Sequence, residues 1–267
     1  MPIITISRGS YSHGREVAER LCAQLGYRCL SREILLEASE QFNTPEIKMA
    51  SAIHDAPSIL ERFTYGKEKY IAYFREALLR HFLEDNIIYH GLAGEFFVKG
   101  IPHVLKVRIL ADIKDRIALE RMNFKAGSED QIARQLEKDD EQRRRWSQHL
   151  YGIDTREPTL YDLVIHIGRV GVDEAVGIIA ETAAMDCFQS TEESRKQIAL
   201  HYKAARAQAA LVQQIPSAKV DVEEGELVVS IQGHGDFMGD DRKLTAQIEE
   251  IVDEKGDVKV KVRLTNR

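Results

Sequence analysis

With 267 residues, 43% of them apolar and 30% charged, the chain can form one sizeable domain with an appendage or two modest domains. Its formal net charge of −6 argues against a general nucleic-acid coat, which needs an excess of Lys and Arg against the phosphate backbone. No apolar run approaches the length of a membrane span, and Met1-Pro2 leads into a predicted strand without a secretory pattern, so the expected location is cytoplasmic.

The first two thirds alternate short apolar runs with helical periodicity. Strands are predicted at residues 3–7, 27–30, 86–90, 103–110 and 163–168, and helices at 15–25, 32–41, 67–83, 113–124, 129–147 and 172–184. Buried, non-alternating strands separated by helices predict a parallel sheet covered on both faces. Ligands of such sheets sit at the carboxyl ends of the strands, which places residues 7–14 and 90–94 on one edge as candidate site loops. Residues 42–84 read as a long helical insertion whose Tyr65, Tyr70, Tyr73, Phe74 and Phe82 recur near helical spacing. That stripe suits a core or a homodimer seam better than a base-stacking platform. Cys22, Cys29 and Cys187 stand apart without metal-ligand spacing and read as reduced structural thiols.

Composition shifts near residue 187. Residues 188–216 read as a helical linker ended by Pro216. Alternating segments at 218–223 and 226–232, a helix at about 242–252 and an alternating strand at 258–264 then give β-β-α-β, a small α+β domain over 217–267. Eight basic residues against twelve acidic ones there exclude a basic arm.

The chemistry concentrates at the N-terminus. An apolar β-branched run, Ile3-Ile4-Thr5-Ile6, meets a small-residue turn and opens into the helical pattern Val17, Leu21, Leu25. Strand, loop and helix in that order form the unit in which backbone N–H groups and a helix dipole cradle phosphates. Gly9 and Gly14 have the G-x-x-x-x-G spacing of a P-loop, but Arg15 and Glu16 follow where Lys and Ser/Thr are usual. A tight βα turn is the competing reading. Arg15 can replace the lysine as a cation for the β- and γ-phosphates, with a planar fork in place of a point charge. Glu16 cannot replace a magnesium-ligating hydroxyl, and its alternative role is a first-turn carboxylate favoured by the helix dipole. The amides of Ser12, His13, Gly14 and Arg15 would do most of the phosphate binding. Ser10 and Ser12 are candidate ligands or turn caps.

The segment from Ile4 to Arg8, the Gly14-Arg15-Glu16 step, the Leu25-Gly26-Tyr27 helix end and Ser31-Arg32-Glu33 resemble the cytidylate kinase-like family of P-loop proteins. Residues 138–144 are similar to that family's lid, and Tyr161-Asp162-Leu163-Val164-Ile165 to its YDLV strand. The resemblance covers roughly residues 1–187 and implies a three-layer P-loop α/β sandwich; the β-β-α-β remainder resembles the BON domain, a module associated with lipid or ligand interaction. Three departures stand out. Tyr11 and His13 occupy positions where family loops carry glycine, His90-Gly91-Leu92-Ala93 lacks the arginine expected to hold an acceptor's phosphate, and His166-Ile167 replaces Asn-Thr.

The resemblance implies an ATP-dependent phosphotransferase acting on a nucleoside monophosphate, with CMP the acceptor by analogy. Its catalytic candidates are Arg15 and Arg143. The candidate nucleotide-binding set is Gly9, Ser10, Ser12, His13, Gly14, Arg15, Glu16 and Arg116, the last near adenine. No side chain is assigned to a metal, so Mg²⁺ would be held mainly through phosphates and water. The rival reading is a nucleotide-binding regulator without turnover that signals through the C-terminal domain.

Overall fold

A computed structural model describes residues 2–31, 33–43, 66–124, 128–232, 241–253 and 260–265. Met1, Arg32, Tyr65, Val258 and Lys259, and part of the expected insertion, lie outside the described residues. The first sheet is built from β1 (Ile3–Arg8), β2 (Arg28–Leu30), β3 (Ile87–Tyr89), β4 (Val104–Ala111) and β5 (Leu163–Ile167). All its pairings are parallel, in the order β2-β3-β1-β4-β5, so β1 is central and covered by neighbours on both edges. Its helices are α1 (Gly14–Leu25), α2 (Glu33–Gln41), α3 (Gly66–His81), α4 (Ile113–Phe124), α5 (Glu129–Tyr151) and α6 (Val172–Ala183).

The ends of these helices follow local chemistry. Gly26 takes a left-handed φ of 67° and returns its N–H to the Cys22 carbonyl, stopping α1 where the chain must turn back into β2. Helix α5 begins with a capping box, Ser128 with Gln131, and ends at left-handed Gly152. It runs a turn beyond the predicted end at residue 147 because Leu150 and Tyr151 still have an apolar surface to cover. The expected aromatic stripe is core: Tyr70, Tyr73, Phe74 and Phe82 are buried together, with Tyr70 edge-on to Trp146.

Alternating strand residues feed two apolar layers. Ile4, Ile6, Ile88, Leu105, Val107 and Ile109 face α1 and α6. Ile3, Ile87, Tyr89 and Val104 face α2, α3 and α5. The first face stays apolar along β4 and, on β1, as far as Ile6, with Arg8 at the strand's end. On the second, the same-face series changes character toward the strands' carboxyl ends, through Thr5 and Ser7 on β1 and Lys106 and Arg108 on β4. Cys22 and Cys29, apart in the sequence pattern, meet in the first layer, where the Cys22 thiol and then His90 pull the Cys29 thiol down.

The second sheet contains β6 (Ala218–Glu223), β7 (Glu226–Gln232) and β8 (Val260–Thr265), with α8 (Asp241–Asp253) crossing between the last two. Strands β6 and β7 are antiparallel, β7 and β8 parallel. Glu224 and Gly225 both take positive φ, as the two-residue hairpin turn requires. Helix α7 (Glu192–Leu211) occupies the expected linker, but it is shared between two cores. Ile198, Ala205 and Ala209 pack into the first domain, while Ala204, Ala207 and Leu211 pack under the second sheet. Alanines let both neighbours approach one helix closely. Among the described residues, no helix is long and apolar enough to cross a membrane.

Arg75 of α3 ties the units together, donating from Nη1 to Gln208 Oε1 at 2.8 Å and to the Val220 carbonyl at 2.9 Å. Burial pushes its pKa down, so these acceptors and nearby Asp221 must compensate for lost hydration. Replacing Arg75 by Ala should cost about 2 kcal/mol, the loss of charge-assisted hydrogen bonds, and separate the unfolding of the C-terminal unit from that of the first domain. Urea unfolding followed by amide exchange checks this; a single unchanged transition would contradict it.

Candidate active site

Strand β1 ends at Arg8 and α1 begins at Gly14, leaving a five-residue turn at the carboxyl edge of the sheet. Tyr11 (φ 54°) and His13 (φ 62°) are both left-handed. Each costs about 1–2 kcal/mol for a residue with a Cβ, a strain that persists where surrounding structure enforces it and that clusters at ligand clamps. Left-handed residues turn neighbouring N–H groups to one side, the way backbone nests for anions are made. Tyr11 therefore takes the conformation that a glycine would usually supply, and its side chain turns to Glu120 on α4. Its hydroxyl is pushed up to about 12, by burial first and then by the hydrogen bond to Glu120.

The two glycines of the motif are unequal. A Cβ on Gly14 would lie 2.6 Å from Arg8 Cβ and 2.7 Å from its Cδ, so the first residue of α1 must lack a side chain for the turn to close. A Cβ on Gly9 would meet Asp140 Oδ1 at an ordinary 3.5 Å.

The side chains of the loop divide. Ser12 is buried with its hydroxyl directed to the carbonyls of Gly9 (3.0 Å) and Ile109 (3.3 Å), so it pins the loop to β4. His13 Nδ1 meets Glu16 Oε2 at 3.0 Å; Arg20 bonds the other Glu16 oxygen and reaches Asp173 on α6. His13, then Arg20, hold the Glu16 carboxyl below its ordinary range. Glu16 thus has the first-turn structural role weighed from the sequence. Arg15 lies along the surface of α1, 71% exposed, with Nε 2.7 Å from Glu19. The structure does not bring it to the other candidate groups.

Helices α4 and α5 come to the loop instead. Arg116 donates from Nε to the Ser10 carbonyl at 2.7 Å and pairs through Nη1 with Asp140 Oδ2 at 2.8 Å. Asp140 Oδ1 accepts from the Ser10 amide at 3.1 Å. Three turns of different elements therefore share one polar junction. Arg143 directs Nη1 to the Arg8 carbonyl at 3.4 Å. Its neighbours Arg144 and Arg145 turn away to Glu141, whose carboxyl they hold down at about 2. Arg143 is thus the member of the arginine run that faces the loop. Among the described residues, no group of three or more His, Cys, Asp and Glu side chains could hold a metal.

Sequence reading missed a buried polar group beside this junction. Register places Ser7 opposite Arg108, and Arg108 Nη1 donates to Ser7 Oγ at 3.2 Å and to Tyr161 Oη at 3.1 Å. The guanidinium lies 5.4 Å from the Tyr161 ring centroid. Tyr161 Oη also lies 3.3 Å from Glu95 Oε1 and 2.9 Å from the Thr155 carbonyl. The available signal was a pair of basic residues, Lys106 and Arg108, inside a strand whose other residues are apolar. The 90–94 turn, by contrast, serves packing. Any Cβ on Gly91 or Gly94 would collide with the Tyr89 ring, whose hydroxyl donates to the Leu92 carbonyl at 3.0 Å.

Two outcomes follow from these contacts. Gly14→Ala should lose about 1–3 kcal/mol through overpacking, while Gly9→Ala stays within about 0.5 kcal/mol, as thermal unfolding of both would read. Burial, opposed by Arg108 and local hydrogen bonds, raises the Glu95 carboxyl above its ordinary range. A raised group favours folding at low pH, and this contribution fades as pH climbs through its folded-state value. As pH rises above about 4, the ordinary carboxylate value, the native protein should lose stability relative to Glu95→Gln in urea titrations; parallel profiles would refute the shift.

The sequence matches the cytidylate kinase-like family over residues 3–169, from the start of β1 to just beyond β5. A cytidylate kinase from Methanosarcina acetivorans is 29% identical over 109 residues, 36% of this chain and 59% of that protein. The chain therefore spans less than two thirds of the length of this curated relative. Among solved structures, an uncharacterized protein from Eubacterium ventriosum is similar in fold, with a TM-score of 0.52 at 21% identity over 68% of this chain and 98% of that one. A shikimate kinase from Bacteroides thetaiotaomicron aligns with 69% of this chain and 99% of its own, at 11% identity and a TM-score of 0.42. The family match takes in more than half of the sequence, including the loop, α5 and the whole parallel sheet, and on it the chain belongs to the cytidylate kinase-like family.

Proposed function

We propose that this chain is a cytoplasmic kinase that transfers a phosphoryl group from ATP to a nucleoside monophosphate, with CMP the first acceptor to try. The observation that carries this reading is the β1–α1 turn: two left-handed residues with side chains, held by a glycine approach that tolerates no Cβ, at the ligand edge of a parallel sheet. Family membership supplies the reaction class.

The amides of residues 12–15 would hold the phosphate chain at the start of α1, where the helix dipole favours negative charge. Arg143 would face the transferred group from α5. Arg15 would join after leaving Glu19; an exposed ion pair of this kind is worth only about 0.2–1 kcal/mol, so little opposes the swing. The residues present fit phosphates better than a metal, and Mg²⁺ would be carried on phosphate oxygens and water, where it neutralises charge. Arg108, held by Ser7 and Tyr161, offers the acceptor a cation near the place where the 90–94 turn has none. Catalysis would consist of positioning and electrostatic stabilisation.

One observation favours the rival, a nucleotide-binding regulator: α7 belongs to both cores, so a change at α3 or α5 has a rigid route to the C-terminal unit. A panel of nucleoside monophosphates with ATP·Mg²⁺ and chromatographic separation of products decides between them. Diphosphate from one acceptor, reduced at least about a hundredfold in Arg143→Ala and in Arg15→Ala, is the expected result. Tight nucleotide binding with no product for any acceptor would favour the regulator.

A further inference from the structure

The junction of Ser10, Arg116 and Asp140 contains a carboxylate bound the way a phosphate oxygen would be. Asp140 sits on a backbone N–H of the loop (3.1 Å) and on a guanidinium (2.8 Å), donors that serve carboxylates and phosphates alike. Its carboxylate lies beside Gly9, where no side chain intervenes. The Arg116 side chain is only 11% exposed, and among the described residues its buried Nη2 has no hydrogen-bond partner. Ser10 Oγ, also buried, has none either. The internal carboxylate therefore uses part of the donor set and leaves two buried polar groups unsatisfied, which is costly unless another occupant engages them. A phosphoryl group, with more oxygens spread in three dimensions, can engage more of these donors at once.

We propose that the Ser10 N–H and the Arg116 guanidinium form a subsite for the terminal phosphate of a polyphosphate chain, occupied by Asp140 as an internal anion until that phosphate displaces it. The inference rests on the reading of the loop as a phosphate cradle, and it moves Arg116 from the adenine end to the phosphate end. Two anions cannot share these donors, so filling the subsite releases α5 from the loop at Asp140. Arg143, three residues on, lies on the same side of that helix and is placed to follow the ligand. The closed state thus lowers the apparent affinity for phosphates in proportion to its population.

The test uses the full chain and inorganic pyrophosphate, in chelator and without metal, followed by titration calorimetry. Asp140→Asn keeps the shape of the side chain and removes its charge. It should bind pyrophosphate about tenfold more tightly than the native protein, the gain expected if the closed junction is about nine-tenths populated. Arg116→Met should lose binding in both the native and the Asp140→Asn backgrounds. Emission of Trp146, the single tryptophan and buried on the same helix, verifies native packing of each variant. Unchanged or weaker binding by Asp140→Asn overturns the proposal, as does binding that survives Arg116→Met. The same holds if pyrophosphate binds neither the native protein nor Asp140→Asn. The kinase reading is scored separately by product formation from ATP·Mg²⁺: a chain that turns over while Asp140→Asn leaves pyrophosphate affinity unchanged loses only this subsite.

Discussion

The close approach of Gly14 to Arg8 is the constraint on which the site depends. Strand β1 is central, flanked by β3 and β4, and its end cannot shift without disturbing both apolar layers. Helix α1 packs against that sheet through Val17, Ala18 and Leu21 and cannot slide outward without exposing them. The turn between two such anchored elements must be short and sharply bent. The missing Cβ at Gly14 permits the approach, and the left-handed conformations of Tyr11 and His13 complete it. Strain in the turn is thus enforced by burial on either side, as required for a strained backbone to persist.

The second organising feature is the asymmetry of the parallel sheet. Its α1/α6 face is apolar up to Arg8 at the end of β1 and acts as a rigid support. Its other face becomes polar near the ligand edge, where Ser7 and Arg108 stand side by side and recruit Tyr161 and Glu95. Such a buried polar network is tolerated because its members bond to one another, and it gives the site a defined floor. Helices α4 and α5 form the opposite wall through Arg116, Asp140 and Arg143. The polar groups in this arrangement come from separated stretches of chain, each positioned by a packed element.

The C-terminal unit is joined by packing as well as by sequence. An alanine-rich helix has two faces that larger side chains would have kept apart, and α7 uses both. Arg75 adds a polar tie from α3 to α7 and β6. This joint lies on the side of the sheet that also holds α5, so the floor of the site and the appended unit share supporting helices.

The strand and helix order, the helix stop at Gly26, the hairpin at Glu224-Gly225 and the phosphate-loop candidate were legible in the sequence. Each is dictated by periodicity or by the conformational range of a few neighbouring residues. The same local logic identified the core role of Tyr70 and Phe74 and offered a first-turn role for Glu16 as the alternative to nucleotide binding. It did not show that α7 serves two cores, that Cys22 meets Cys29, or that Arg143 rather than Arg144 faces the loop. Nor did it reveal the Ser7–Arg108–Tyr161–Glu95 network or the seat of Asp140 on Ser10. By itself the sequence determined the parallel α/β architecture and the place of the loop, because backbone preferences and hydrophobic period act within a few residues. The direction of Arg108, Arg116 and Asp140 was decided only in the tertiary structure, where burial removes water and Ser7 or Ser10 meets them from more than a hundred residues away.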